Sequence, residues 1–194
     1  MKKNLFLALA FLLPLISINA NATEQYTIDT RGMHAFITFK INHLGYSWLQ
    51  GRFDKFAGNF SYDEKNLSNN KVKLSIDIGS IDSNNAERDK HLRSARFFDA
   101  EKFPTASFVS TGWKNTGNNK AVLSGKFTLR GVTKNIDIDI TQTGAGKDPW
   151  GGYRRGFEGT TTLHLSDYNM KESNILGPVA ENVDIWLSIE GVRK

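Results

Sequence analysis

The chain of 194 residues contains no cysteine. Disulfide staples, thiol chemistry and cysteine-ligated metal are excluded, so a domain of this length must hold itself together by packing. Proline is scarce, and so are long apolar runs: the stretch from Leu5 to Ile18 contains Pro14 and is too short for a comfortable membrane span, and nothing downstream approaches one. Paired metal-binding spacings are missing too. The four histidines, His34, His43, His91 and His164, form no HxH, HxxxH or HExxH pair, and no metal site is assigned. There is no GxSxG elbow for a serine nucleophile. Gly144-Ala145-Gly146-Lys147 lacks the GxxxxGK(S/T) spacing of a phosphate loop and reads as a hairpin loop. Asp137 and Asp139 stand two apart on a strand, facing water together, without the burial that would separate their pKa values for acid–base work. No catalytic residue is assigned, and the chain is expected not to be an enzyme. Acidic and basic residues, 20 and 25 in number, are interleaved, so the net charge of +5 gives no support to nucleic-acid binding.

What is present begins with a leader. Lys2 and Lys3, the apolar run, and Ala20-Asn21-Ala22 make the pattern of a signal peptide over 1–22, which implies export and a mature chain from Thr23. Residues 23–194 then fit one domain with its own core.

Apolar alternation at period two recurs along that domain. Ala35, Ile37, Phe39 and Ile41 alternate with polar or outward residues, as do Val72, Leu74, Ile76 and Ile78. The pattern returns at Leu123 to Leu129, Ile136 to Ile140 and Val183 to Ile189, with weaker candidates at Gln25–Asp29, Gly51–Asp63, Thr105–Trp113 and Gly156–Leu165. Eight or nine antiparallel strands are expected, each with one solvated face. Turn signals separate them at 66–70, 115–119, 130–131 and a glycine-rich loop over 144–156. A closed barrel or a sandwich satisfies this pattern, and long strands with no spare edges favour the barrel. Between two strands lies Ser80 to Pro104, a charged segment expected to be a short helix over about 84–95, with Asn84 or Asn85 as N-cap and Phe97-Phe98 as a docking point. Trp48 and Trp150 fall in expected loops, as gates or as plugs. Phe36 and Trp186 take outward parity, open either to a subunit contact or to cover by another segment.

Three motifs carry a resemblance. His34-Ala35-Phe36 is followed by Ile41-Asn42-His43-Leu44-Gly45-Tyr46-Ser47-Trp48; Ser80-Ile81-Asp82 leads into Glu87-Arg88-Asp89-Lys90-His91-Leu92-Arg93-Ser94; and Leu129-Arg130-Gly131-Val132-Thr133-Lys134 closes the set. Together they resemble the YceI family of periplasmic proteins, and the match runs the length of the chain. The 148–152 loop and the ending Ile189-Glu190-Gly191-Val192 look like the branch from which the family takes its name. Arg96, Ser83 and Asn135 depart from the family's usual aspartate, threonine and proline.

The resemblance implies an all-β, lipocalin-like closed antiparallel barrel of about eight strands in the bacterial periplasm, often a homodimer, whose lumen holds a polyisoprenoid, quinone-like or other long-chain lipid. Strand parity then nominates the inward wall. It comprises Ile37 and Phe39; Leu74, Ile76 and Ile78; Phe108; Leu123 and Phe127; Ile138; Phe157 and Leu163; and Ile185 and Leu187. Each is equally readable as ordinary packed core. Polar contacts at a mouth are assigned to Trp48, Arg88, Asp89 and His91. Two other classes stay open: an interaction or structural stress protein with a filled core, and an enzyme acting on a lipid.

Overall fold

The structure, a computed structural model, describes residues 23–170 and 180–194. The expected signal peptide over 1–22 lies outside them. Among the described residues eleven strands and one α-helix follow in order: β1 (Glu24–Ile28), β2 (Phe36–His43), β3 (Ser47–Phe53), β4 (Phe56–Tyr62), β5 (Lys71–Asp77), β6 (Ile81–Asp82), α1 (Ala86–Arg93), β7 (Thr105–Gly117), β8 (Lys120–Leu129), β9 (Val132–Lys147), β10 (Tyr153–His164) and β11 (Asn182–Arg193).

Every pairing is antiparallel, and the ladder runs β1-β4-β5-β7-β8-β9-β10-β11 and back to β1, which closes the barrel. The extra strands arise because three long strands bend. β1 and β2 share the same edge of β11, at Ile28↔Gly191 and Ile37↔Leu187. β3 continues into β4 across Asp54-Lys55, and β5 into β6 across a 3-10 turn at Ile78–Ser80. The fold is thus an eight-stranded antiparallel barrel with one short helix, as the alternating pattern predicts. Closure removes the free edges that an open sheet of this size would expose.

Turn chemistry fixes the register. Asn118-Asn119 and Arg130-Gly131 both have positive φ at two successive residues, the geometry whose twist matches that of the flanking strands. The expected loop over 144–156 is mostly ladder instead. Gly144 pairs with Gly156 and Gly146 with Arg154, so only 148–152 turn. The reason is that β11 templates β10 as far as Arg154↔Val192, and β9 extends by pairing on that edge whatever its side chains. Trp48 likewise lies on β3 rather than in a loop. The helix begins one residue after Asn85, whose side chain accepts from the Arg88 amide, and ends at Arg93.

The interior divides into two ends. At one, Tyr26, Phe60, Tyr62, Trp113 and Phe157 pack ring against ring, with Tyr26 stacked on Phe60 at 4.7 Å. Arg155, 7% exposed, seals this end by donating to the Tyr26 hydroxyl, Gln142 and Glu24 while its guanidinium lies 3.9 Å over the Tyr62 ring. At the other end the barrel stays hollow.

Candidate functional site

The hollow end holds a cavity of about 130 Å³ walled by inward side chains of β2, β3 and β5 to β11 and by the helical segment. Its wall is Ile, Leu, Phe, Val, Ala and Met, with Thr161 as the one polar side chain. Even that hydroxyl is spent, because it donates to the Asp137 carbonyl at 2.8 Å. A surface of this kind holds no water well and favours apolar matter.

All the nominated inward residues line this cavity except Leu123 and Phe157. Leu123 pairs with Trp113, beside the aromatic end, and Phe157 is the ring that Phe60, Tyr62 and Trp113 all meet, so both belong to the packed end. Sequence reasoning omitted Ile41, Leu129, Ile136 and Val183, which share the parity of residues it chose. It also omitted Leu92, Phe97 and Phe98, which reach the cavity from α1 and its exit. Phe97-Phe98 was the legible signal for those, being two aromatics directly after a charged helix.

Glycine contributes to the wall as well. A Cβ at Gly51 would lie 2.3 Å from Phe39 Cζ, and one at Gly125 would lie 2.3 Å from Phe108 Cζ. Both rings therefore occupy space that a side chain on the neighbouring strand would need.

The nominated mouth residues separate. Asp89, 8% exposed, accepts from the Ser83 amide at 2.9 Å and from the Ser83 hydroxyl at 2.5 Å. Arg88 donates through Nε to the Ser83 hydroxyl at 2.8 Å and through Nη2 to the Ser83 carbonyl. Both therefore fasten α1 to β6. His91 packs edge-on against Phe97, with ring centroids 4.9 Å apart. Trp48 stands on the outer face of the β2–β3 hairpin, with Lys40 Nζ 4.2 Å from its ring centroid. A residue not nominated, Arg130, joins the two segments that close this end: it donates to the Asn169 carbonyl at 2.5 Å and to the Ala95 carbonyl at 2.9 Å.

One titratable group with a displaced pKa stands directly behind this wall: burial pushes the Tyr168 phenol up to about 12, with its ring 5.7 Å from that of Phe127. The others among the described residues lie toward the packed end. Hydrogen bonds from the Gly32 amide and then Arg154 hold Asp29 below the usual carboxylate range, with a further contribution from His34. Arg154 also holds Asp148 low. Burial first, and donation to Glu24 second, push the Tyr26 phenol up to about 12. Among the described residues, Asp29, His34 and Glu190 form one grouping with metal-ligating atoms within 4.8 Å of one another. Its cationic place is taken by the Arg154 guanidinium, which bonds both carboxylates.

Comparison with known proteins agrees with this architecture. A family model described as a YceI-like domain matches residues 26–191. The chain belongs to the YceI family. A UPF0312 protein of Shewanella sp. (strain MR-7) is 50% identical over 194 residues, covering all of both chains. Among solved structures, BcnA of Burkholderia cenocepacia superposes with a TM-score of 0.75 at 22% identity, over 84% of this chain and 98% of that one. A polyisoprenoid binding domain from Saccharophagus degradans, implicated in plant cell wall breakdown, superposes with a TM-score of 0.66 at 16% identity, over 87% and 98%. No helix of the described residues is long and apolar enough to cross a membrane.

Proposed function

We propose that this YceI-family chain is exported to the bacterial periplasm and there sequesters or carries a long apolar lipid, of polyisoprenoid or quinone-like type, in the barrel lumen. The observation that carries this reading is a cavity whose single polar side chain is already hydrogen-bonded, closed at its far end by Arg155 and the aromatic cluster. Polyisoprenoid binding is named for the structural neighbour from Saccharophagus degradans, and it agrees with a wall of this kind. The leader over 1–22 supports export. Binding rather than catalysis is favoured because the wall itself presents no ionisable side chain.

Magnitudes shape the reading. Each buried methylene contributes about 0.8 kcal/mol, so a few isoprene units supply strong binding before ordering costs. A cavity of about 130 Å³ compares with the roughly 150 Å³ that accommodates one benzene ring. One isoprene unit fits, and a longer tail enters only as side chains yield. Outside the hydrogen-bonded strands the lining includes Leu92, Phe97, Phe98 and Met170, and we propose that a longer tail displaces these. His91 and Trp48 lie at the hollow end and remain the polar contacts proposed for a head group. Arg88 and Asp89 act on it through Ser83. In a homodimer, Phe36 and Trp186, 42% and 39% exposed on one outer face, would be the residues covered.

Native mass spectrometry of protein isolated from the periplasm tests the proposal. A retained lipid of defined mass, lost on delipidation and regained from a lipid extract, is the expected result. A chain that arrives empty and takes up nothing would overturn it, and turnover of the bound lipid would replace carriage by catalysis.

A further inference from the structure

We infer that the β2–β3 hairpin is a bilayer-docking finger, which seats its tip in the headgroup region of a membrane so that the lumen end faces the lipid it takes up. The inference rests on the lipid-carrier reading and adds a second site to it. Among the described residues Ile41, opposite Val183, is the last β2 residue paired on β11, and β3 meets β6 only at Arg52 and Phe53. The ribbon of Asn42–Trp48 thus extends past the last β2–β11 pair. At about 3.4 Å per residue, its turn lies roughly 10 Å past the lumen-lining Ile41.

What the ribbon carries outward is unlike a solvated turn. Leu44 is 46% exposed, Tyr46 87% and Trp48 55%. Tyrosine and tryptophan are the residues whose rings sit at membrane–water interfaces, polar end in the headgroups and body in the acyl boundary. From Lys40 to Phe53 there is no acidic residue; Lys40 and Arg52, at the base of the finger, are ion-paired with Asp184 and with Asp54 and Asp82, and the tip beyond them carries no carboxylate to repel anionic headgroups.

The turn itself gives an independent sign. The Tyr46 amide donates to the His43 carbonyl at 3.0 Å, and φ is +55° at Leu44 and +82° at Gly45. Asparagine or glycine is the natural first residue of such a turn, and a leucine held there at positive φ costs folding free energy. Strain accepted in order to present an apolar side chain to solvent points to something that receives it.

A second copy of the chain is the competing occupant. Three side chains on a narrow tip bury far less than the roughly 800 Å² per partner of a stable interface, whereas insertion into a bilayer has no such threshold.

The test is flotation of the purified full chain with vesicles of phosphatidylethanolamine and phosphatidylglycerol. Leu44→Asn creates the preferred Asn-Gly turn, so it is expected to raise the melting temperature while lowering vesicle binding about tenfold, and misfolding cannot produce that combination. Trp48→Ser with Tyr46→Ser lowers binding as well, and Trp150→Ser, a 78% exposed tryptophan at the opposite end, leaves it unchanged. Equal binding by the parent and the Leu44→Asn protein, loss with Trp150→Ser alone, or a fall in sedimentation mass with the hairpin variants would overturn the inference. A parent that retains lipid by native mass spectrometry yet ignores vesicles defeats docking and leaves carriage standing. Vesicle binding through the hairpin with no lipid ever found in the lumen does the reverse.

Discussion

Asp89 holds Ser83 twice, taking a hydrogen bond from its amide at 2.9 Å and one from its hydroxyl at 2.5 Å, and both residues are buried. The pair ties the first turns of α1 to the end of β6, and Arg88 grips the same serine from the other side. A motif dense in charge thus works as a fastening for the segment whose Leu92, Phe97 and Phe98 reach the cavity. Asp89→Ala strips two buried donors of their acceptor and is expected to cost about 2–3 kcal/mol in thermal or urea unfolding. An unfolding midpoint within error of the parent would show that the fastening carries no load.

Arg130 spans the same end from the β8–β9 turn, bonding the carbonyls of Ala95 and Asn169. Its φ of +49° makes Arg130→Asn informative, because asparagine is at home in that conformation and removes only the latch. The expected result is lipid exchange roughly tenfold faster, equivalent to about 1.4 kcal/mol, with little change in melting temperature. Exchange measured with a fluorescent prenyl lipid decides it, and an unchanged rate would mean that these loops do not gate the lumen.

Alternation at Ile37–Ile41, Leu74–Ile78 and Val183–Leu187 announces the barrel because period-two burial is a local property of strands. The same locality explains what the pattern misses. Whether Phe157 lines a cavity or fills a core depends on Phe60, Tyr62 and Trp113, which two other strands, β4 and β7, bring to it. Arg88 and Asp89 look like a solvated pair along one helix, and only the turn at Ser83 gives them a buried purpose. The Asp29–Arg154–Glu190 grouping joins residues from three distant stretches of chain, so no spacing records it.

That grouping sets the acid stability. Asp29 and Asp148 have carboxyls held below their ordinary values, Asp29 by the Gly32 amide and Arg154, and Asp148 chiefly by Arg154. In the pH window below the unfolded value of about 3.9 the unfolded chain binds more protons than the folded one. Their stabilisation is therefore complete above about pH 4 and drains away as pH falls through the folded values. Asp29→Asn is expected to lower stability at neutral pH and to make the loss between about pH 4 and pH 2 shallower. Urea unfolding across that range checks it, and an acid limb as steep as the parent's would remove Asp29 from the account.

Gly51 bears most directly on the lumen. The Phe39 ring lies across it, and an added methyl would stand 2.3 Å from Phe39 Cζ and 2.8 Å from the Asp82 carbonyl oxygen. The carbonyl belongs to the β3–β6 ladder and resists movement, so the ring is displaced toward the lumen axis, into a cavity of only about 130 Å³. Gly51→Ala is expected to cost about 1–3 kcal/mol by overpacking and to reduce lipid uptake at the same time. Phe39→Leu in the same chain shortens the obstructing side chain. Because the two positions are in contact, the double variant should recover part of both losses, with a coupling of about 1 kcal/mol or more. Strict additivity in stability and in uptake would mean that the glycine serves the ladder alone and that the lumen does not depend on where the ring lies.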